Sequence, residues 1–236
     1  MTNSTYRNII LLVLCVTAGI VDVIGYLSLG HIFTANMTGN IVLLGLAIGN
    51  SLETTVFHSL TALGGFVIGV VGAAILVGNK EKTFWPKAVT IALGIEGLIL
   101  LVFALLSSFS PSLHLYLFIF LLSSAMGLQT TAARKLGVAG ISTTVLTGTL
   151  ANFFEDVTAR FRSSRYRKTF NTDAILRALS LVLYCFGAVI AALAEPAYKF
   201  EIIWLPIVIL LAIIIFVSTK FRSDSEKNNN DKGPFR

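Results

Sequence analysis

The chain has 236 residues, of which 55% are hydrophobic and only 13% charged, and its mean hydropathy is +0.82. A soluble domain carries about twice that charged share, so a soluble enzyme, a disordered chain and a secreted disulfide scaffold are excluded, and a polytopic membrane protein remains. The net charge of +6 is the basic excess expected of cytoplasmic loops and calls for no nucleic-acid partner.

Six apolar runs are long enough to cross a bilayer at ~20 residues per span. They cover 9–29, 57–77, 88–109, 113–133, 174–194 and 202–219. The first is too long for a signal-peptide core and holds Asp22, so it is expected to be a retained helix. Two further stretches, 31–50 and 138–154, are fairly apolar. Counting them as spans would put Lys80, Lys82, Lys87, Arg134 and Lys135 outside, so they are expected to be re-entrant or interfacial. With six spans and an inner N-terminus, Arg7, those five residues, Arg160, Arg162, Arg165, Arg167, Lys168, Arg177 and every basic residue of the tail fall inside. Of the 18 basic residues only Lys199 falls outside, a strong orientation signal. The segment 155–171 interleaves Arg with aromatics and reads as a cytoplasmic surface touching anionic headgroups. Residues 221–236, charged and Asn-rich, read as a disordered cytoplasmic tail.

The two halves share a plan: a span, a small-and-polar stretch, then two more spans. Thr38-Gly39 and Thr147-Gly148 lie 109 positions apart, and Gly19 and Gly127 lie at nearly the same offset. Three spans per unit is odd, so the second unit must be inverted relative to the first, as in many secondary transporters with a midplane site. The domains are accordingly 1–110 and 111–220, two inverted repeats, followed by the tail. After each Thr-Gly comes a helix too short to cross, and its N-terminus offers free N–H groups and a positive dipole end to a polar or anionic solute.

The run Gly19-Ile20-Val21-Asp22, then Gly30-His31-Ile32-Phe33 and Ala35-Asn36-Met37-Thr38-Gly39-Asn40, resembles the signature of the bacterial YoaK-type membrane family. Ala125-Met126-Gly127-Leu128-Gln129 followed by Thr143-Thr144-Val145-Leu146-Thr147-Gly148 is similar to its second signature. The resemblance covers the chain short of its tail. It implies a bacterial cytoplasmic membrane and about six spans, and little about function. Thr130 departs from the pattern of that second signature, where an amide or a small polar residue follows the Gln.

Charges inside a membrane are costly, about 2.5–3.5 kcal/mol on insertion scales, and mark sites or buried pairs. Asp22 shares a helix face with Gly19 and Tyr26 and reads as a coupling carboxylate, or as a cap on re-entrant amides. Glu96, among apolar neighbours mid-span, is a second coupling candidate or a buried neutral acid. Gln129, in the inner third of its span, corresponds roughly to the Asp22 region and orients a solute or ties helices. Gly64, Gly65, Gly69, Gly72 and Ala73 form a small face for helix packing, within one chain or, through Gly65, Gly69 and Gly72, in a homo-oligomer. His31, His58 and His114 read as interfacial residues, and Cys15 and Cys185 as small hydrophobes. No hydrolase, P-loop, zincin or dinucleotide motif is present, so no enzyme, metal or cofactor is expected.

The expectation is therefore an all-α polytopic membrane protein with six transmembrane helices in two inverted three-helix repeats, each with a half-helix. Its expected function is small-solute secondary transport. Asp22, Asn36, Thr38, Gly39, Asn40, Gln129, Thr147, Gly148 and Thr149 would bind the polar or anionic solute, with Asp22 and Glu96 coupling. The alternative is a non-transporting membrane protein that binds lipid or a protein through its basic face.

Overall fold

The computed structural model describes residues 2–78, 84–109, 115–137, 143–144, 146–162 and 170–230. Lys80, Lys82, His114, Val145, Arg165, Arg167, Lys168, Lys232 and Arg236 lie outside that set. The described residues form helices α1 (Asn3–Ser28), α2 (Met37–Gly49), α3 (Glu53–Val77), α4 (Lys87–Phe109), α5 (Leu115–Lys135), α6 (Leu146–Arg162), α7 (Phe170–Tyr198) and α8 (Trp204–Asn230). A 3-10 turn, Lys199–Ile203, separates the last two, and no strand occurs among the described residues.

Helices α1, α3, α4 and α5 are each long and apolar enough to cross. So is the 49-residue stretch Thr172–Lys220, which the 3-10 turn divides into α7 and α8. The chain is thus an all-α polytopic membrane protein. The 13 residues of α2 reach only ~20 Å, short of the ~30 Å hydrocarbon core. α8 runs to Asn230, past the last apolar run.

Composition decides which helices sit inside. In α1, 72% of the most apolar window is buried, and in α5 67%, against 28% in α3. α1 buries Thr17 and Asp22 and α5 buries Ser123, Ser124, Gln129 and Thr130, while α3 buries His58 and Ser59 and α4 buries Glu96 and Ser107. Lipid would leave those groups unpaired, so they face protein. α3, α4, α7 and α8 turn Ile68, Ile75, Leu98, Val182, Phe186 and Ile215 outward instead. A belt of that kind suits lipid and would be a large unshielded patch in water.

α1 packs most extensively on α7, and α3 on α5. α4 packs on α5 and α8 on α1, while α2 lies on α3 and α6 on α7. Exchanging α1 with α5, α2 with α6, α3 with α7 and α4 with α8 leaves these pairings unchanged. The closest approaches repeat in detail. A Cβ on Gly19 would strike the Tyr184 carbonyl and lie 3.1 Å from Ala188 N, and one on Gly127 would strike the Phe66 carbonyl and lie 2.9 Å from Val70 N. Gly187 meets Val16 as Gly69 meets Ser124. The offset is 108 for the α1–α5 residues and 118 for the α3–α7 residues throughout. Gly65 and Gly69 are therefore taken up by α5 within one chain, while Gly64 and Gly72 meet nothing within 4 Å.

Three basic residues, Arg7, Lys135 and Lys220, lie at one end of the bundle. Arg7 lies over the Phe84 ring at 4.7 Å, Lys220 over Tyr6 at 5.6 Å, and Lys135 Nζ donates to the Gly78 carbonyl at 2.6 Å. At the other end Ser28 donates to Glu195 at 2.8 Å, and the His58 and Tyr116 rings lie 5.3 Å apart.

Candidate functional site: a cavity between two half-helices

The chain leaves α1 through Gly30 (φ 81°) and His31 (φ 60°). A side chain at Gly30 would be strained by that φ, and its Cβ would come within 2.5 Å of the His58 ring, so glycine is required. The following loop folds back onto Asp22. Its Oδ1 accepts from Thr34 N at 2.7 Å, Thr34 Oγ1 at 2.9 Å and Ala35 N at 2.6 Å, and its Oδ2 accepts from the Tyr184 hydroxyl. One carboxylate thereby ties α1, the loop and α7 together.

Asn40 closes the same loop. Its Nδ2 donates to the Phe33 carbonyl at 2.5 Å, and Phe33 N donates to its Oδ1 at 2.8 Å. Asn36 caps α2 by accepting from Gly39 N at 3.2 Å. Of the first amides of α2, Met37 N donates to Ala35 O and Asn40 N to Asn36 O. The Thr38 amide has no partner among the described residues.

The second half repeats the device with weaker chemistry. At the 108 offset the counterpart of Asp22 is Thr130, the next residue after Gln129. Its hydroxyl lies 2.7 Å from that of Thr144, in the approach to α6, and donates on to the Met126 carbonyl. The hydroxyl of neighbouring Thr143 is buried and has no partner among the described residues. Gly140 and Ser142 lie outside the described residues.

Between the two devices lies a cavity of about 380 Å³. Asn36, Met37 and Thr38 reach it from the start of α2, and Thr144, Leu146 and Thr147 from the start of α6. α5 contributes Thr130 and Arg134. Phe66 of α3 and Tyr184 of α7, counterparts at the 118 offset, also line it. That size matches small-molecule sites in general.

Of the expected residues, Asn36, Thr38 and Thr147 meet at this cavity. Asp22 stands one residue behind it, through Tyr184, and lines a smaller apolar recess with Gly19 and Tyr26. Gln129 is a helix tie: it accepts from Thr17 Oγ1 at 2.9 Å and donates to the Leu14 carbonyl at 2.9 Å. Thr149 is buried within α6. Glu96 is fully buried on α4, with neither oxygen hydrogen-bonded among the described residues, and it does not line the cavity. Sequence reasoning passed over Thr130, Arg134, Phe66 and Tyr184. A signal existed for each: the 108 offset from Asp22, the helical i+4 step from Thr130 to Arg134, and the 118 offset between the two rings.

Gly39 and Gly148, expected as solute ligands, do not line the cavity, and their surroundings differ. A Cβ on Gly39 would lie 2.7 Å from the Phe33 ring and 3.2 Å from the Asn36 amide, whereas one on Gly148 meets nothing within 4 Å. Gly39→Ala is expected to destabilise by about 1–2 kcal/mol through overpacking. Gly148→Ala is expected to be neutral, or to stabilise by up to about 1 kcal/mol through helix propensity. Thermal melting of the two purified variants checks the contrast.

The family described as Protein of unknown function (DUF1275) matches residues 10–216, most of the chain. The chain belongs to this family. A DUF1275 relative, the UPF0700 transmembrane protein YoaK of Bacillus subtilis (strain 168), is 57% identical over 224 residues, covering 95% of this chain and 100% of the relative. No solved structure matches the chain. The DUF1275 match extends over both half-helices and all the residues that line the cavity.

Proposed function

We propose that the chain is a small-solute secondary transporter of the bacterial cytoplasmic membrane, made of two inverted three-span repeats with the basic end and both termini inside. The observation that carries this reading is the cavity on which the starts of α2 and α6 converge. Two short helices ending at one cavity, from halves whose pairings exchange without change, are what an inverted-repeat carrier needs at its midplane site. The one-sided basic residues support the orientation.

In this reading Asp22 couples a proton to solute movement without touching the solute. Protonation removes an acceptor from the Thr34 and Ala35 amides and the Tyr184 hydroxyl. That loosens the α2 approach and the Tyr184 ring, both of which border the cavity. Glu96, buried in α4 away from the cavity, is a second proton carrier rather than a solute ligand.

The test is an uptake screen of a labelled metabolite panel in proteoliposomes against protein-free liposomes. Thr147→Trp, which fills the cavity from an exposed position, is expected to bring uptake down to the protein-free level with the protein still monodisperse. Full uptake in Thr147→Trp overturns the placement of the site, and no protein-dependent uptake of any solute overturns transport.

A further inference from the structure

We propose that the cavity binds a small organic monocarboxylate, with its carboxylate paired to Arg134 and its carbon body against Phe66, Val70 and Tyr184. Arg134 is the one charged residue in the lining, and it has no hydrogen-bond or ion-pair partner among the described residues. Topology alone accounts for a basic residue at the inner end of α5. Arg134 is exposed and also borders a second recess with Gly78 and Lys135, so its unpaired guanidinium stands at the mouth of the cavity, free to meet an entering anion, while Lys135 beside it is tied to the Gly78 carbonyl. A guanidinium fork matches a carboxylate in two parallel hydrogen bonds.

The remaining lining narrows the class. No carboxylate offers itself to a cation, because both Asp22 oxygens are taken by the loop and by Tyr184. A dianion would bring a second charge with no cation to meet it, an uncompensated cost in a partly desolvated site. The Thr38 and Thr147 hydroxyls and the unpartnered Thr38 amide add neutral donors around the anion, whereas the Thr130 and Thr144 protons are already spent on the Met126 carbonyl and on each other. Ala35, Met37, Phe66, Val70 and Leu146 form an apolar wall that an inorganic anion would leave unused. The start of α2 and the start of α6 both turn their positive dipole ends to the same space.

The proposal rests on the transport reading for its biological use, but binding can be measured without it. The full-length protein in detergent is titrated with sodium acetate, benzoate, succinate and phosphate, with choline chloride and glycerol as controls, and followed by thermal shift and calorimetry. Acetate or benzoate is expected to raise the melting temperature of the wild type saturably. Arg134→Gln, which melts like the wild type without ligand, is expected to weaken that binding by ~10-fold or more, and Arg134→Lys by less. The proposal is overturned if no carboxylate stabilises the wild type, if Arg134→Gln binds as the wild type does, or if phosphate, succinate or choline binds in preference. The two readings fail separately. Arg134-dependent binding without uptake of any panel solute leaves the anion site and removes transport. Uptake of a neutral or cationic solute, unchanged in Arg134→Gln, leaves transport and removes the anion site.

Discussion

Gly127→Val is expected to remove the chain from the folded population, and Gly19→Val to do the same from the other half. A Cβ at Gly127 lies 2.9 Å from Val70 N and 3.1 Å from the Gly69 Cα, and it strikes the Phe66 carbonyl. All three obstacles are backbone, so no side chain can rotate away, and α3 and α5 must part. In lipid there is no hydrophobic force to hold them at a longer distance, because tails solvate apolar faces as well as leucine does. What is lost is close van der Waals contact along the most extensive helix pair of the fold. Overpacking in a well-ordered core costs about 1–3 kcal/mol, and a backbone obstacle on a rigid pair puts this case at or above the upper end. Gly72→Val, on the same face of α3 but with nothing within 4 Å, is expected to stay within about 0.5 kcal/mol. Size-exclusion profiles and thermal melts in detergent separate the three. Wild-type melting of Gly127→Val would show that α3 and α5 are not in backbone contact.

Those glycines also show how far the sequence could be read. The six long helices and their common basic end follow from apolar run length and from where Lys and Arg fall, both of which depend on the bilayer alone. The two short helices follow as well, since counting them as spans would scatter the basic residues. Gly19 and Gly127 were visible as a pair, but their partners were not. Tyr184 and Phe66 touch them through backbone atoms, and a contact that any residue type can make leaves no mark in composition. Asn40 was expected as a solute ligand from its place after Thr38-Gly39 at a half-helix start, and Gln129, with a helix tie as its alternative, from its correspondence to the Asp22 region. Position along a helix cannot tell whether an amide meets a solute or a neighbouring carbonyl, and here both amides meet protein. Arg134 was missed for the opposite reason. The orientation rule already explained it, so the i+4 step that places it beside Thr130 at the cavity went unused.

Asp22 admits a comparison of two substitutions that separates holding from coupling. Asp22→Ala is expected to be severely destabilising. It orphans the Thr34 and Ala35 amides, the Thr34 hydroxyl and the Tyr184 hydroxyl around a side chain that is only 4% exposed. At about 1–3 kcal/mol for each unsatisfied buried group, even two of them cost several kcal/mol. Asp22→Asn differs in chemistry rather than shape. Its carbonyl oxygen still accepts from the two amides, and its NH₂ can donate to the Tyr184 oxygen, reversing one bond instead of breaking it. The fold is therefore expected to survive, with a loss of no more than about 2 kcal/mol, and solute binding to persist. A neutral side chain cannot take up and release a proton, however. In proteoliposomes, Asp22→Asn is expected to equilibrate solute across the membrane but not to accumulate it in response to a pH gradient. If Asp22→Asn accumulates solute as the wild type does, the carboxylate only holds the loop, and the proton must travel by another group, of which Glu96, buried and without a hydrogen bond among the described residues, is the next to replace.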